Sequence, residues 1–273
     1  MKRPLARAAL FLALGLGTVI SLGPLLWMLS ASFMTTGEAS SSPPPLWPHH
    51  PTFDHYRDMF ERLALGRYFR NSLLNAVGAT LGALFVCSLA GYALAKLRFR
   101  GRDRIFQTLV AMLVVPAQVG MLPLFMLLRE LGLVNTYVGV ILPSIASIYA
   151  IFLIRQYTLG VPDELLDAAR LDGASEWLLF RRIVLPVIAP ILVTLAIFTF
   201  LGTWNDFLWP LIILADDRWY TLPVGLANLS LEHVQDPELM LAGAVVTVAP
   251  VLIVFVALQR YYLQGIMMGS VKG

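Results

Sequence analysis

Six charge-free apolar runs constrain this chain more than anything else in it: residues 8–33, 71–95, 105–128, 137–154, 183–205 and 239–259, with Glu238 just outside the last. Each is long enough to cross about 30 Å of hydrocarbon as a helix. Backbone groups in lipid find no water to bond, so such runs close their hydrogen bonds internally and fold as helices. Composition agrees, since 58% hydrophobic residues, 14% charged residues and a mean hydropathy of +0.74 over 273 residues lie far from a soluble domain. The fold expected is an all-α membrane protein with six transmembrane helices. The first run follows Lys2, Arg3 and Arg7 as in a secretory signal, but exceeds the roughly 7–15 apolar residues of one and is expected to stay as a span.

Basic loops resist translocation, so the positions of Lys and Arg orient the bundle. With the N-terminus inside, fourteen of the 20 basic residues fall on inner segments, including Lys96, Arg98, Arg100, Arg102 and Arg104 between the second and third runs. Both termini and the segment between the fourth and fifth runs are then cytoplasmic. The net charge of +3 reflects these inner loops and implies no nucleic acid. Cys87, the single cysteine, lies inside the second run as a small packing residue and has no partner for a disulfide.

Punctuation between the runs is specific. Ser40 to Pro51 is too proline-rich for a helix and reads as an outer loop. After it, Phe53, Tyr56, Phe60 and Leu63 recur at helical spacing among charged residues, which predicts a short amphipathic helix at the outer surface. Gly78, Gly82 and Gly91 allow close approach of a second helix, more simply within the chain than between subunits. Pro116, Pro123 and Pro143 interrupt the third and fourth runs, and the freed carbonyls need other partners. His49, His50, Asp54 and His55 hold metal-ligand chemistry but no fixed spacing, and read as loop residues.

The inner segment after the fourth run carries the most structured signal. Pro162 suits a helix start, Asp163 and Glu164 its positive end, Arg170 its negative end, and Gly173 a left-handed stop, so a helix over about 162–172 is predicted. Leu165, Ala168, Ala169 and Asp172 share one face of it. Ser175 and Glu176 open a second helix that leads past Arg181 and Arg182 into the fifth run. From Asp167 the order D-A-A, three residues, Gly173, nine residues, Ile183, one residue, Leu185-Pro186 resembles the cytoplasmic loop of permease subunits in ABC importers, with Asp167 in place of the usual Glu.

That resemblance extends from Pro51 to Gly273. Pro51-Thr52-Phe53-Asp54-His55-Tyr56 is similar to a P-T-x-x-N-Y stretch of sugar permeases, with His55 for Asn. Trp204-Asn205-Asp206-Phe207-Leu208-Trp209-Pro210 and the tail with Gln259, Gly265 and Gly269 resemble carbohydrate-uptake permeases, the group that includes the smaller maltose permease subunit.

The resemblance implies a type I importer permease in a prokaryotic inner membrane, one domain over 1–273 with a core bundle at about 68–260, a coupling loop at 156–186 and a tail at 260–273. Glu164, Asp167, Ala168, Ala169, Arg170, Asp172, Gly173, Ile183, Leu185 and Pro186 would couple to ATPase subunits. Asp206, nineteen steps or about 28 Å beyond Val187, lies near the outer end of its span. Thr199, Gly202, Thr203, Trp204, Asn205 and Asp206 are substrate-path candidates, with gating or packing as the alternative for the acidic end and with a second permease as another holder of the ligand contacts. Implied partners are that second permease, as a heterodimer, two ATPase subunits, an extracytoplasmic sugar-binding protein and membrane lipid; the outer loop of Asp216, Asp217, Glu232, Asp236 and Glu238 reads by default as a solvated acidic loop, with docking of the binding protein as the alternative the resemblance implies. No G-x-x-x-x-G-K-[ST] loop occurs, so ATP and Mg belong to the ATPase subunits and this chain binds no cofactor of its own. Glycerol phosphate is the competing cargo; a passive channel or an intramembrane enzyme are further readings, the latter lacking paired catalytic residues at depth.

Overall fold

The computed structural model describes residues 2–232 and 236–270. Its helices are α1 (Lys2–Ala31), α2 (Asp54–Glu61), α3 (Leu65–Lys96), α4 (Arg102–Met112), α5 (Met121–Glu130), α6 (Tyr137–Ile141), α7 (Ile148–Leu159), α8 (Asp163–Leu171), α9 (Glu176–Leu179), α10 (Leu185–Val187), α11 (Ala189–Trp204), α12 (Leu208–Ile213), α13 (Leu222–Glu232) and α14 (Pro237–Ser270). Among the described residues there is no strand. Three helical stretches, Leu10–Ala31, Leu65–Lys96 and Pro237–Ala257, are each long and apolar enough to cross a membrane. Three bent pairs raise the number of spans to six if each pair is one span.

The bends have identifiable causes. Arg102–Met112 and Ala117–Glu130 meet at 99°, where Pro116 adopts an extended ψ of 130°. Pro123 sits in the first turn of α5, where a missing N–H costs nothing. Tyr137–Ser144 and Ile148–Leu159 meet at 44°, after Pro143 tightens the chain into a short 3-10 turn. Glu176–Val187 and Ala189–Trp204 meet at 78°, so the apolar run over 183–205 bends at Ile188. Pro190 has no N–H to donate to the carbonyl of Pro186, so the ladder cannot continue there.

The chain divides into two compact units. The first holds Met1–Arg67 and Leu222–Pro250. In it the short helix expected after the proline-rich loop forms as α2, which buries His55 and Met59 and leaves Phe53 and Phe60 exposed. His55 turns inward because its Nε2 lies 2.9 Å from the Met34 carbonyl, the kind of bond an Asn amide would also make. The Tyr56 hydroxyl lies 2.7 Å from that of Ser32. Glu238 belongs to no solvated acidic loop: it is fully buried and accepts from the backbone N–H groups of Gly37 and Ala39 at 3.2 and 2.6 Å. Of the remaining loop acids, Asp236 accepts from the Leu239 N–H and Asp216 pairs with Arg218.

The second unit holds Tyr68–Thr221 and Val251–Gly273. Its seam is α3 against α6 and α7. A Cβ on Gly78 would meet Ile141, one on Gly82 Ile145, and one on Gly91 Ile154. Each isoleucine follows its glycine by the same number of residues, so α3 and the α6–α7 pair run parallel and in register. Cys87 adds more than packing, because its thiol points at the carbonyls of Ile145 and Ser147, 3.5 and 3.7 Å away, at the break between α6 and α7. Helix α14 continues through Ser270, so the expected tail is helical up to that point; Lys272 and Gly273 lie outside the described residues.

The tightest point of the seam gives a prediction. A Cβ at Gly91 would lie 2.8 Å from Ile154 Cβ and 3.1 Å from the Arg155 backbone nitrogen, neither of which can rotate away. Gly91→Ala is expected to cost about 1–3 kcal/mol by overpacking, read as a lower thermal midpoint in detergent. Gly15→Ala, with open space around it, should leave the midpoint unchanged or raised.

Candidate functional site

The inner loop is two short helices meeting at a glycine. Pro162, with φ −60° and ψ 132°, turns the chain into α8, whose first turn holds Asp163 and Glu164 and whose last turn holds Arg170. Asp172 ends the helix, its N–H donating to the Ala168 carbonyl at 3.1 Å. Gly173 follows at φ +85°, a conformation that side chains strain to adopt. Ser175 then caps α9 by accepting from the Leu178 N–H, and one π-helical turn over Phe180–Val184 leads through Leu185 and Pro186 into α10.

Leu166, Leu179, Phe180 and Val184 are buried in one cluster with Tyr92, Ile154 and Val161. Half-buried Ala169, Ile183 and Leu185 pack on that cluster, whereas Ala168, Asp172 and Pro186 face outward. The outward surface is unusually apolar for a loop: Leu171 is 90% exposed and Trp177 54% exposed, beside Leu165 and Leu178. Such a surface is suited to a protein partner.

Two side chains of α3 tie this loop down, and neither was among the sequence candidates. Lys96, with only 5% of its side chain exposed, donates from Nζ to the Val161 carbonyl and to Asp163, each at 2.6 Å. Tyr92 donates its hydroxyl to Glu176. The same carboxylate accepts from Arg170 Nε at 2.8 Å, and Arg170 reaches Asp167 at 2.7 Å. Both ends of the loop are thus bonded to one helix more than sixty residues upstream. In the sequence Lys96 was one basic residue among five and Glu176 a helix opener. No local spacing signals a pairing that distant.

The hydrogen bond from Lys96, and then its charge, hold the Asp163 carboxyl below the usual carboxylate range. A depressed carboxylate contributes its stability above its unfolded pKa of about 3.9. That contribution is lost as pH falls through the lower folded value, so the tie is intact at neutral pH.

A second locus lies where α11 passes the break between α6 and α7. A cavity of about 360 Å³ there is lined by Ser144, Ser147, Tyr149, Thr199, Gly202 and Thr203, with Phe198 at its wall. Among the described residues nothing bonds the hydroxyls of Tyr149, Thr199 or Thr203. Free hydroxyls beside aromatic faces suit a polyhydroxylated molecule. Ser144, Ser147 and Tyr149 joined this set only through the fold.

The remaining candidates sit elsewhere. Trp204 is fully buried, edge-on to Phe69 at 5.4 Å and stacked on Phe200 at 5.9 Å. Asn205 donates to the Leu201 carbonyl at 2.8 Å, and Asp206 accepts from the Trp209 N–H, so both finish helix ends. Trp209 in turn donates its indole N–H to the Gly139 carbonyl at 3.1 Å.

Residues 87–267 match the family described as "Binding-protein-dependent transport system inner membrane component". This chain belongs to that family. It is 40% identical over 257 residues to the arabinooligosaccharides transport system permease protein AraQ of Halalkalibacterium halodurans, covering 93% of this chain and 92% of that protein. It is 33% identical over 272 residues to the lactose transport system permease protein LacG of Rhizobium radiobacter, covering 100% and 98%. These relatives are transport permeases rather than enzymes. A chain of a bacterial ABC transporter involved in the import of the acidic polysaccharide alginate superimposes with a TM-score of 0.85 over 96% of this chain and 98% of its own length. At 21% identity that likeness establishes the fold.

The two ties on α3 make a measurable claim. Charge-assisted hydrogen bonds are worth about 1.5–3 kcal/mol each, so Lys96→Met is expected to speed amide exchange across Asp163–Leu171 roughly tenfold or more. Tyr92→Phe should give a smaller increase, and combining it with Glu176→Gln should add little to the larger single effect. Unchanged exchange in Lys96→Met would show that the loop stands without α3.

Proposed function

We propose that this chain is the permease subunit of an ATP-driven importer that carries a sugar or oligosaccharide across a prokaryotic inner membrane. Each bent pair acts as one span, giving six, with both termini and the loop from Asp163 to Pro186 on the cytoplasmic side. A second permease, a distinct chain, completes the path. Two ATPase subunits hold the ATP and Mg, and an extracytoplasmic binding protein delivers the cargo.

The observation that carries this reading is the exposed apolar surface of Leu165, Leu171, Trp177 and Leu178 on a loop fixed at its base by Lys96 and Tyr92. Force applied by an ATPase to a floppy loop would be absorbed by the loop. Applied to this one, it reaches α3 through short polar bonds and the α10–α11 segment through the chain itself. Glu164, Ala168 and Asp172 form the outward contact with the ATPase, Gly173 sets the angle between the two helices, and Asp167 and Arg170 brace it.

Support for a saccharide comes from the arabinooligosaccharides and lactose for which the relatives are named and from the hydroxyl-lined cavity. No Lys or Arg lines that cavity, which weighs against a phosphorylated cargo such as glycerol phosphate. Thr199, Gly202 and Thr203, with Tyr149, form this chain's share of the path; Trp204, Asn205 and Asp206 support it by packing and capping.

The direct test is uptake by the complete reconstituted complex across a panel of saccharides and glycerol 3-phosphate. Saccharide uptake that requires both ATP and binding protein is expected. Flux without nucleotide, or preference for glycerol 3-phosphate, would overturn the reading. Glu164→Lys combined with Ala168→Arg should abolish uptake while the permease still inserts. Thr203→Val, losing one hydrogen bond of about 1 kcal/mol, should weaken apparent saccharide affinity roughly fivefold and leave basal ATP hydrolysis unchanged.

A further inference from the structure

The segment 96–104, from the last residue of α3 through the loop into the first turn of α4, carries five basic residues, and they are not equivalent. Lys96 is committed to Val161 and Asp163. Arg102 is committed to Asp103 at 3.2 Å and to the Leu97 carbonyl at 3.4 Å. That pairing also neutralises Asp103, the one carboxylate lining the cavity of about 850 Å³ that the loop encloses. Arg98, Arg100 and Arg104 line the same cavity, and among the described residues no hydrogen bond or ion pair engages their side chains. Three guanidinium groups with no hydrogen-bonded partner border one open space, Arg98 also acting at longer range on Asp163.

We propose that this loop is a binding site for the phosphodiester headgroup of an anionic phospholipid. A guanidinium presents a planar fork that matches phosphate oxygens in pairs. Gly101, at φ +88°, precedes α4 and offers no side-chain cap, so first-turn N–H groups of that 11-residue helix remain available to an anion as well. Depth also fits. The loop begins where a helix of membrane-crossing length ends at Lys96, the level at which headgroups lie.

Two half-exposed apolar side chains select lipid over free phosphate. Phe99 is 43% and Ile105 48% exposed beside the arginines, and both can lie along an acyl chain. Soluble phosphate would gain nothing from either. An inward orientation would account for basic residues in this loop, but not for the convergence of the three unpaired ones on one cavity. The inference rests on the orientation given under the proposed function and on nothing about cargo.

The test uses the full-length permease in nanodiscs of zwitterionic lipid doped with photoactivatable phosphatidylglycerol or photoactivatable phosphatidylcholine, with crosslinks located by mass spectrometry. The phosphatidylglycerol probe is expected to label residues 97–106 at least tenfold more than the phosphatidylcholine probe. Unlabelled phosphatidylglycerol should compete, inorganic phosphate should not, and molar salt should remove the preference. The combined change Arg98→Gln, Arg100→Gln and Arg104→Gln should remove it too, bringing phosphatidylglycerol labelling down to the phosphatidylcholine level.

Should that variant fail to insert, the corresponding triple Arg→Lys variant keeps the inner charge and should keep the preference and its salt dependence. Equal labelling by both probes, displacement by inorganic phosphate, or loss of labelling once the ATPase subunits are bound would each overturn the proposal, the last by assigning the surface to a protein. The readout needs neither cargo nor ATP. A failed uptake assay beside an intact lipid preference would therefore sink the transport reading alone.

Discussion

The buried ammonium of Lys96 is the contact on which the functional half of this molecule depends. A cation with almost no access to water is stable only when its donors are satisfied, and here the Val161 carbonyl and the Asp163 carboxylate do that. The requirement works in both directions. It fixes the start of α8 against the end of α3, and it makes any tilt of α8 a displacement of α3. Glu176, shared between Tyr92 and Arg170, does the same at the other end of the loop. The apolar side chains that face outward therefore stand on a base held at two points.

Broken helices are the second organising element. Proline removes a donor at each bend, and a carbonyl left over in an apolar interior has to be met by something. Pro143 withholds a donor from the Gly139 carbonyl, which the Trp209 indole N–H meets instead, while the Cys87 thiol lies against the Ile145 and Ser147 carbonyls because Gly78, Gly82 and Gly91 let α3 approach closely. The same break brings Ser144, Ser147 and Tyr149 to face α11, whose Thr199, Gly202 and Thr203 complete the cavity wall. Close packing on one side of the bend and open polar space on the other have a single origin in Pro143.

Much of this was legible in the sequence where the signal is local. The helix over Asp163–Leu171, its glycine stop and the Ser175 cap follow from side chains acting on their own backbone within a few residues. The same is true of α2 as an element, whereas the inward turn of His55 depends on the Met34 carbonyl, three residues past the end of α1. Trp204, Asn205 and Asp206 show the converse. Their chemistry left sugar contact and packing both open, and the contacts they make within the chain are ring packing and helix-end hydrogen bonds.

Apolar run length, proline position and the punctuated inner loop determined that the chain would be a helical membrane protein with a two-helix protrusion, because hydrogen-bond closure in lipid and capping are properties of short segments. Tertiary structure alone decided that Lys96 and Tyr92 hold that protrusion, that Glu238 is buried, and that the run over 183–205 turns sharply at Ile188. The first two pair groups far apart along the chain, and no periodicity encodes such partners. The third turns on whether neighbouring helices compensate a missing N–H, which a proline in a linear sequence leaves open.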